Sequence, residues 1–244
     1  MNKKIIYLFL IFLFPVYTPG VYAQNEIKFA NSLSPTKALY QSSDKNNYDD
    51  EQEHYLKPTA LIVPGSFLIY SGLKPFVDGI PKLDNRIMVN VENNYPDFHT
   101  NSADYIMWMP SASVYALDAL KVKTRHTFKQ HLILDAGSIL ITGGLGLGMR
   151  IISKNMKAYN SNGTKFPSGH AANAFRGAEI LHQELKLQSP VLSYSGYVVA
   201  TGVGLLRIYN KNHYLTEVLA GAGLGILSTK LTYWLFDKIK FNNN

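Results

Sequence analysis

The sequence contains no cysteine, so disulfides contribute nothing to stability and packing must hold the fold together. Charged residues are sparse, at 17%. Lysine and arginine form no basic stripe interleaved with aromatic residues, and the positive charge therefore does not indicate nucleic-acid binding. Long apolar runs are also scarce, because several fall short of the roughly 20 residues of a membrane span or contain proline. Mean hydropathy is only −0.06.

The amino terminus has the pattern of a secretory signal peptide. A basic start, Lys3-Lys4, precedes an apolar run over 5–14 and small residues just before Gln24. This order predicts a cleaved signal over 1–23, with an uncleaved amino-terminal anchor as the alternative. Loss of the two lysines lowers the formal net charge from +7 to +5. That mild excess fits anionic substrates, a membrane surface or ordinary solubility.

The remaining chain divides into a polar leader and one larger domain. Residues 24–55 are polar and bury little, so we expect an extended or disordered leader. Residues 56–240 carry apolar segments, among them 103–120 and 131–149, which are typical of packed helices. About 220 residues after the signal are enough for one sizeable core.

A glycine run at 143–148 has the look of a phosphate loop. It lacks a preceding strand and the Lys-Ser/Thr ending that such loops require. We therefore predict that these glycines serve close helix packing.

The stretch from Pro167 to His170 organises the rest of the chain. Pro167 ends the preceding segment, Ser168 is a good N-cap, and Gly169 lets the backbone approach a ligand. The free N–H groups of a first helical turn, together with a histidine that exchanges protons at neutral pH, would suit a phosphate oxygen. An ordinary loop-to-helix transition has the same pattern, so other motifs must decide.

Two further motifs point to the same chemistry. Five residues separate Arg207 from His213, and three separate His213 from Glu217. Across one helical turn Glu217 can orient the imidazole, which can then attack phosphorus; the alternative is a core histidine capped by Glu217. Arg150 and Lys157 lie seven apart, so two helical turns bring both cations to one face, which suits phosphate unless that face is merely solvated.

Together, the three motifs resemble the type 2 phosphatidic acid phosphatase and vanadium haloperoxidase superfamily. The resemblance covers residues 150–225 and implies an all-α bundle of about six core helices after the signal peptide. The family pattern Lys-x6-Arg-Pro is represented here by Arg150, Lys157 and Ala158, and Glu217 replaces the usual aspartate. Charge is kept, but arginine and lysine are not interchangeable at a bidentate site.

The resemblance also implies a mechanism. His213 is the nucleophile that forms a phosphohistidine, Glu217 holds its tautomer, and His170 protonates the leaving alkoxide and later activates water. Fixed cations and backbone N–H groups neutralise the phosphoryl oxygens, so neither a metal nor another cofactor is expected. The implied phosphate-binding residues are Arg150, Lys157, Ser168, Gly169 and Arg207.

The expected function is hydrolysis of a phosphate monoester or a lipid (pyro)phosphate. The expected partners are that substrate and a membrane surface, without nucleic acid. Two alternatives stay open at this point, a relative that binds phosphate or lipid phosphate without turnover and a vanadate-dependent haloperoxidase.

The helix expected over 171–186 bears on localisation. It carries Arg176, Glu179, His182 and Glu184, which make it too polar to lie in lipid. With the short apolar runs, this favours an exported protein, periplasmic or on the outer face of a membrane. We expect it to be soluble or peripheral, with an integral membrane enzyme as the alternative.

Overall fold

The computed structural model describes residues 55–154, 156 and 166–242, except for the side chains of 240–242. All regular elements in these residues are helices, which confirms the predicted all-α class. The predicted signal peptide and the leader up to residue 54 lie outside the described residues, as do Lys157 and Ala158. The helices are α1 (Pro58–Gly72), α2 (Gly79–Asn94), α3 (Ser102–Ile106), α4 (Met109–Ala119), α5 (Phe128–Ser153), α6 (Gly169–Leu185), α7 (Pro190–Ser193), α8 (Ser195–Tyr209) and α9 (Leu215–Asn242).

Helix α6 is the centre of the bundle, since most of its residues are buried and it packs against α4, α5, α8 and α9. Its closest approach is to α9. A Cβ built on Gly225 would lie 2.2 Å from the carbonyl oxygen of Ala172, and one on Gly221 would lie 2.4 Å from that of Ser168. These two glycines therefore allow the backbones of α6 and α9 to touch.

The charges of α6 are neutralised inside the bundle rather than by water. Arg176 pairs with Asp135, Glu179 pairs with Lys230 at 2.8 Å, and Glu184 accepts from His131 at 2.9 Å and Tyr233 at 2.6 Å. The α6 partners in these pairs are at most 1% exposed. The polar sequence of this helix is therefore compatible with a membrane around the bundle. A buried charge is stabilised by a partner inside the protein and does not require solvent.

Within the residues that the structure describes, three helical stretches are long and apolar enough to cross a membrane: Phe128–Ser153, Pro190–Tyr209, which combines α7 and α8, and Leu215–Ile239. Only 11% of the apolar window in the first is buried inside the protein, and Leu140 and Ile152 are 75% and 67% exposed. So large an apolar face fits lipid rather than water. The expectation of a soluble or peripheral protein is therefore wrong, and the helices point to an integral membrane protein. Sequence reasoning failed because it took the charges of α6 as evidence against a surrounding membrane and judged the apolar runs too short or too interrupted to span one.

Membrane integration can be measured with Leu140, which lies near the centre of α5. We expect the full chain to stay in the membrane pellet after alkaline carbonate extraction. Leu140→Lys should reduce insertion because lysine at a span centre costs about 2.5–3.5 kcal/mol. Leu187→Lys is the matched control, since Leu187 is 61% exposed but lies outside the three spans. Release of the unmodified chain into the supernatant would contradict the assignment.

Candidate active site

The predicted motifs meet at one end of the bundle. The N–H of Ser168, before α6, donates to the carbonyl of Glu217 in the first turn of α9 at 3.0 Å. The N–H of His213 donates to the carbonyl of Arg207 near the end of α8 at 3.2 Å. Arg150, near the end of α5, lines one cavity with His170. Because this end is also where three candidate spans begin or end, the site lies at an end of the membrane-spanning segments rather than at their centre.

The contact predicted between His213 and Glu217 is present. Nδ1 of His213 lies 2.8 Å from Oε2 of Glu217, and the N–H of Tyr214 donates to the same oxygen at 3.2 Å. The Glu217 side chain is fully buried in the first turn of α9, where the helix dipole favours a negative charge. A carboxylate on Nδ1 leaves Nε2 of His213 for a substrate and stabilises positive charge on the ring.

Thr216 fixes the turn that carries His213. Its N–H and its hydroxyl donate to the carboxylate of Asp84 on α2, at 3.2 and 2.6 Å, and its carbonyl accepts from the hydroxyl of Ser71 at 2.8 Å. Lys74 Nζ lies 2.9 Å from Asp84. Sequence reasoning missed these residues, although the helical spacing of Asp84 from Ile80 and Ile87 places it on the buried face of α2.

Ser168 does not take the role expected of it. Its N–H is used by the Glu217 carbonyl, and its buried hydroxyl accepts the N–H of Ala171 at 3.5 Å as the N-cap of α6. Among the described residues, the N–H groups of Gly169 and His170 have no acceptor. The free donors at this helix start are therefore shifted one residue along the chain, and His170 replaces Ser168 in the pair.

Arg207 has a buried donor without a partner. Its Nε is inaccessible to solvent and bonds to no described residue. Its carbonyl accepts the N–H groups of Asn212 at 3.1 Å and His213 at 3.2 Å, so the guanidinium and the imidazole are held in a fixed relation. A buried, unpaired N–H is costly, and no described residue offsets that cost.

His170 contacts a carboxylate that the sequence did not predict. Its Nε2 lies 2.7 Å from Oδ1 of Asp104 on α3, and the same oxygen lies 3.8 Å from a terminal nitrogen of Arg207. Burial, and then the charge of Arg207, lower the pKa of His170, whereas Asp104 raises it and His213 lowers it further. His170 thus lies within electrostatic reach of both Arg207 and His213.

Arg150 lines a cavity of about 460 Å³ together with Gly169 and His170. Its guanidinium is exposed and has no hydrogen-bond or ion-pair partner in the described part of the chain. The structure therefore brings Arg150 to the same place as the α6 N-terminus, while Lys157 lies outside the described residues.

The rest of the cavity wall is mostly apolar, and its polar members are Thr142, Asn173 and Arg176. Its apolar and glycine lining consists of Met107, Trp108, Ile139, Gly143, Gly146, Leu147, Pro167, Ala172 and Leu224. The predicted close packing of the glycine run is wrong for Gly143, Gly144 and Gly148, because a Cβ on any of them would meet nothing within 4 Å. Only a Cβ on Gly146 would make a contact, 3.4 Å from Leu224. The run instead leaves α5 open along one side, and Gly143 and Gly146 border the cavity.

A comparison of the sequence with protein-family models agrees with this geometry. Residues 124–241, which include α5 to α9 and carry every predicted site residue, match the family model of the PAP2 superfamily. Residues 124–241 belong to the PAP2 superfamily. The resemblance inferred from the motifs is thereby confirmed, and the PAP2 domain includes the two histidines, Glu217 and Arg207.

Two known proteins are similar to the chain. The lipid A 1-phosphatase of Porphyromonas gingivalis is 32% identical over 143 residues, which are 58% of this chain and 32% of that protein's length. The chain therefore spans about a third of that relative. A crystal structure of a transmembrane PAP2 type phosphatidylglycerolphosphate phosphatase from Bacillus subtilis covers 72% of this chain and 96% of its own, with 21% identity and a TM-score of 0.48.

Proposed function

We propose that this protein is a phosphatase that hydrolyses the phosphate ester of a lipid through a phosphohistidine on His213. The observation that carries the proposal is the convergence of His213, His170 and the cation of Arg207 at one end of the bundle. A phosphoryl group supplies both an anion for this cation and the electrophile that a neutral imidazole attacks.

In this mechanism the reaction has two steps, and His170 acts in both. Nε2 of His213 attacks phosphorus while Glu217, on Nδ1, stabilises the charge that develops on the ring. The bond from phosphorus to the ester oxygen breaks, its electron pair stays on that oxygen, and His170 supplies the proton. Water, deprotonated by His170, then displaces His213 and releases inorganic phosphate. Arg207, Arg150 and the N–H groups of Gly169 and His170 neutralise the phosphoryl oxygens, with Lys157 as a further predicted cation.

The apolar cavity supports a lipid as the substrate class. It is lined by Gly169 and His170, where the phosphate is expected, and also by apolar residues of a candidate span, Ile139 and Leu147. A small water-soluble ester has no group to fill such a space, whereas a hydrocarbon chain does. The similar protein from Porphyromonas gingivalis is named for activity on a lipid phosphate, which agrees with this choice.

The proposal is tested with the full chain in detergent and EDTA. Phosphate release is measured from a long-chain lipid monophosphate and from p-nitrophenyl phosphate. We expect turnover of both, with the higher kcat/KM for the lipid. Binding of inorganic phosphate without hydrolysis of either ester would contradict the proposal and would indicate a phosphate-binding relative. Halide oxidation that requires added vanadate would indicate the haloperoxidase.

The lipid assignment is tested separately by filling the cavity. Gly143→Leu places a side chain in the wall where a Cβ meets nothing within 4 Å, so the helix should tolerate it. We expect kcat/KM for the lipid to fall about 10-fold or more, since even one methylene in an apolar pocket discriminates about 10- to 200-fold. Turnover of p-nitrophenyl phosphate should be unchanged.

Gly144→Leu is the matched control for this experiment. Gly144 is the next residue on α5, is equally open, and does not border the cavity. It should leave both substrates unaffected. Equal losses for Gly143→Leu and Gly144→Leu, or an equal loss for both substrates in Gly143→Leu, would show that the cavity does not hold the lipid chain.

A further inference from the structure

We infer that Asp104 is the positioning residue of the general acid: its carboxylate holds the Nε2–H of His170 and directs Nδ1 of the same ring to the leaving group. This inference rests on the proposed function. Asp104 lies outside the PAP2 family match and outside every motif considered above. The juxtaposition that carries it is the 2.7 Å contact between the α3 carboxylate and the imidazole at the start of α6.

The two imidazoles of the site are held in the same manner. His213 is bound through Nδ1 by Glu217 at 2.8 Å, and His170 is bound through Nε2 by Asp104 at 2.7 Å. In each ring the opposite nitrogen has no partner among the described residues. A carboxylate on one nitrogen fixes the tautomer and the ring plane, and so determines which nitrogen reacts. His213 therefore presents Nε2 as the nucleophile, and His170 presents Nδ1 as the acid.

The segment before α3 is held against the end of α8, which keeps Asp104 in place. The side-chain amide of Asn210 accepts from the N–H of Thr100 at 3.0 Å and donates to its carbonyl at 2.6 Å. Ala103, next to Asp104, is fully buried. Since Asn210 follows Arg207 by three residues, the same helix end positions both the phosphate-binding arginine and the carboxylate on His170.

Asp104 opposes the other charges that act on His170. Arg207 on α8 and His213 before α9 lower the pKa of His170, and burial lowers it as well. Each disfavours the imidazolium that a general acid requires. Asp104 is the acidic group in contact with the ring, and it favours the protonated form. The imidazolium then donates its Nδ1 proton to the departing alkoxide oxygen and keeps its Nε2–H on Asp104. The neutral ring later takes a proton from the attacking water at Nδ1.

Comparing two leaving groups distinguishes a role of Asp104 in proton transfer from a purely structural role. An alkyl phosphate releases a strongly basic alkoxide that needs a proton, whereas p-nitrophenolate leaves without one. We expect Asp104→Asn to lower kcat/KM for the alkyl ester roughly 10- to 100-fold, a part of the 10²–10⁴-fold that general acids supply, with far less effect on the aryl ester. The ratio kcat/KM is compared because it reports the step in which the ester oxygen leaves and not the later water step, which both esters share. Asp104→Glu should recover part of the loss. The alkaline limb of the pH profile of kcat/KM should move to lower pH, because removing the carboxylate disfavours the imidazolium.

Two comparisons separate Asp104 from its neighbours. His170→Ala should show the same selective loss of kcat/KM, and adding Asp104→Asn to it should cause no further loss, since Asp104 acts through His170. Asp97→Asn, which removes an exposed carboxylate on the same segment, should change nothing. Equal losses for both esters, or additive losses in the double variant, would overturn the inference. So would faster turnover with tighter inhibition by inorganic phosphate in Asp104→Asn, because Asp104 would then be an inhibitory occupant of the phosphate position.

A separate measurement keeps this inference distinct from the proposed function. If the unmodified protein hydrolyses neither ester, the proposed function fails, and the link is measured by NMR titration of the His170 ring. In Asp104→Asn this ring should titrate at lower pH than in the unmodified chain. An unchanged titration would overturn the assignment of Asp104 whether or not the protein is an enzyme.

Discussion

Replacing His213 by alanine is expected to abolish phosphate release from every ester that the protein hydrolyses. Removal of the nucleophile of a catalytic set costs roughly 10⁴- to 10⁶-fold in kcat, because no other group can form the covalent intermediate. The ring is only 7% exposed and is held by Glu217. Its replacement therefore removes the reactive group and changes little of the protein surface. Phosphate release and incorporation of labelled phosphate into protein should both disappear. Labelling should survive denaturation in alkali, as expected for a phosphohistidine.

The matched control is His99→Ala. His99 is exposed and lies outside the predicted machinery, so its replacement should leave both turnover and labelling unchanged. Glu217→Gln should retain the fold but lose about 10⁴-fold in kcat, as expected when a base loses the carboxylate that sets its tautomer. Substantial turnover in His213→Ala with labelling at another residue would refute the assignment of the nucleophile.

Gly221→Ala is expected to damage both the site and the stability of the bundle. The added Cβ would lie 2.4 Å from the carbonyl oxygen of Ser168 and 3.1 Å from the N–H nitrogen of Ala172, both backbone atoms that cannot rotate away. The start of α6 must therefore shift away from α9, and it carries Gly169 and His170 with it. Overpacking of this kind costs about 1–3 kcal/mol, and a displacement of about 1 Å at a catalytic group can cost about 100-fold in rate.

Thermal unfolding and kcat/KM measure the two effects of Gly221→Ala. Gly202→Ala on α8 is the control, because a Cβ there meets nothing within 4 Å and alanine favours the helix. It should unfold at the same temperature or slightly higher and keep full activity. A Gly221→Ala protein with unchanged stability and activity would show that α6 and α9 are not in backbone contact at the site.

The motif residues that could be predicted from the sequence are those whose relation is local. His213 and Glu217 are four residues apart at a helix start, so their contact follows from chain geometry. The N-cap role of Ser168 is equally local, since its hydroxyl meets the N–H of Ala171 three residues on. The PAP2 resemblance followed from the order of the motifs, and it implied the all-α class, with which the apolar segments agree.

Long-range contacts had no such signal. The N–H of Ser168 was expected to bind phosphate, but the Glu217 carbonyl takes it across the junction of α6 and α9. Asp104 lies 66 positions from His170, and no spacing connects them. The open glycines of α5 and the burial of α6 depend on which faces the helices turn to one another. The predicted bounds of the signal peptide and the domain stay predictions.

By itself, the sequence determined which chemical groups are available and how those within one helical turn of each other are arranged, because backbone geometry fixes such distances. Only the tertiary structure decided which carboxylate holds His170, which backbone donors remain free, and that the charged helix α6 lies inside the bundle while the apolar face of α5 lies outside. These outcomes depend on packing between helices that are distant along the chain. Rotating one helix about its axis would expose an ion pair that is now buried.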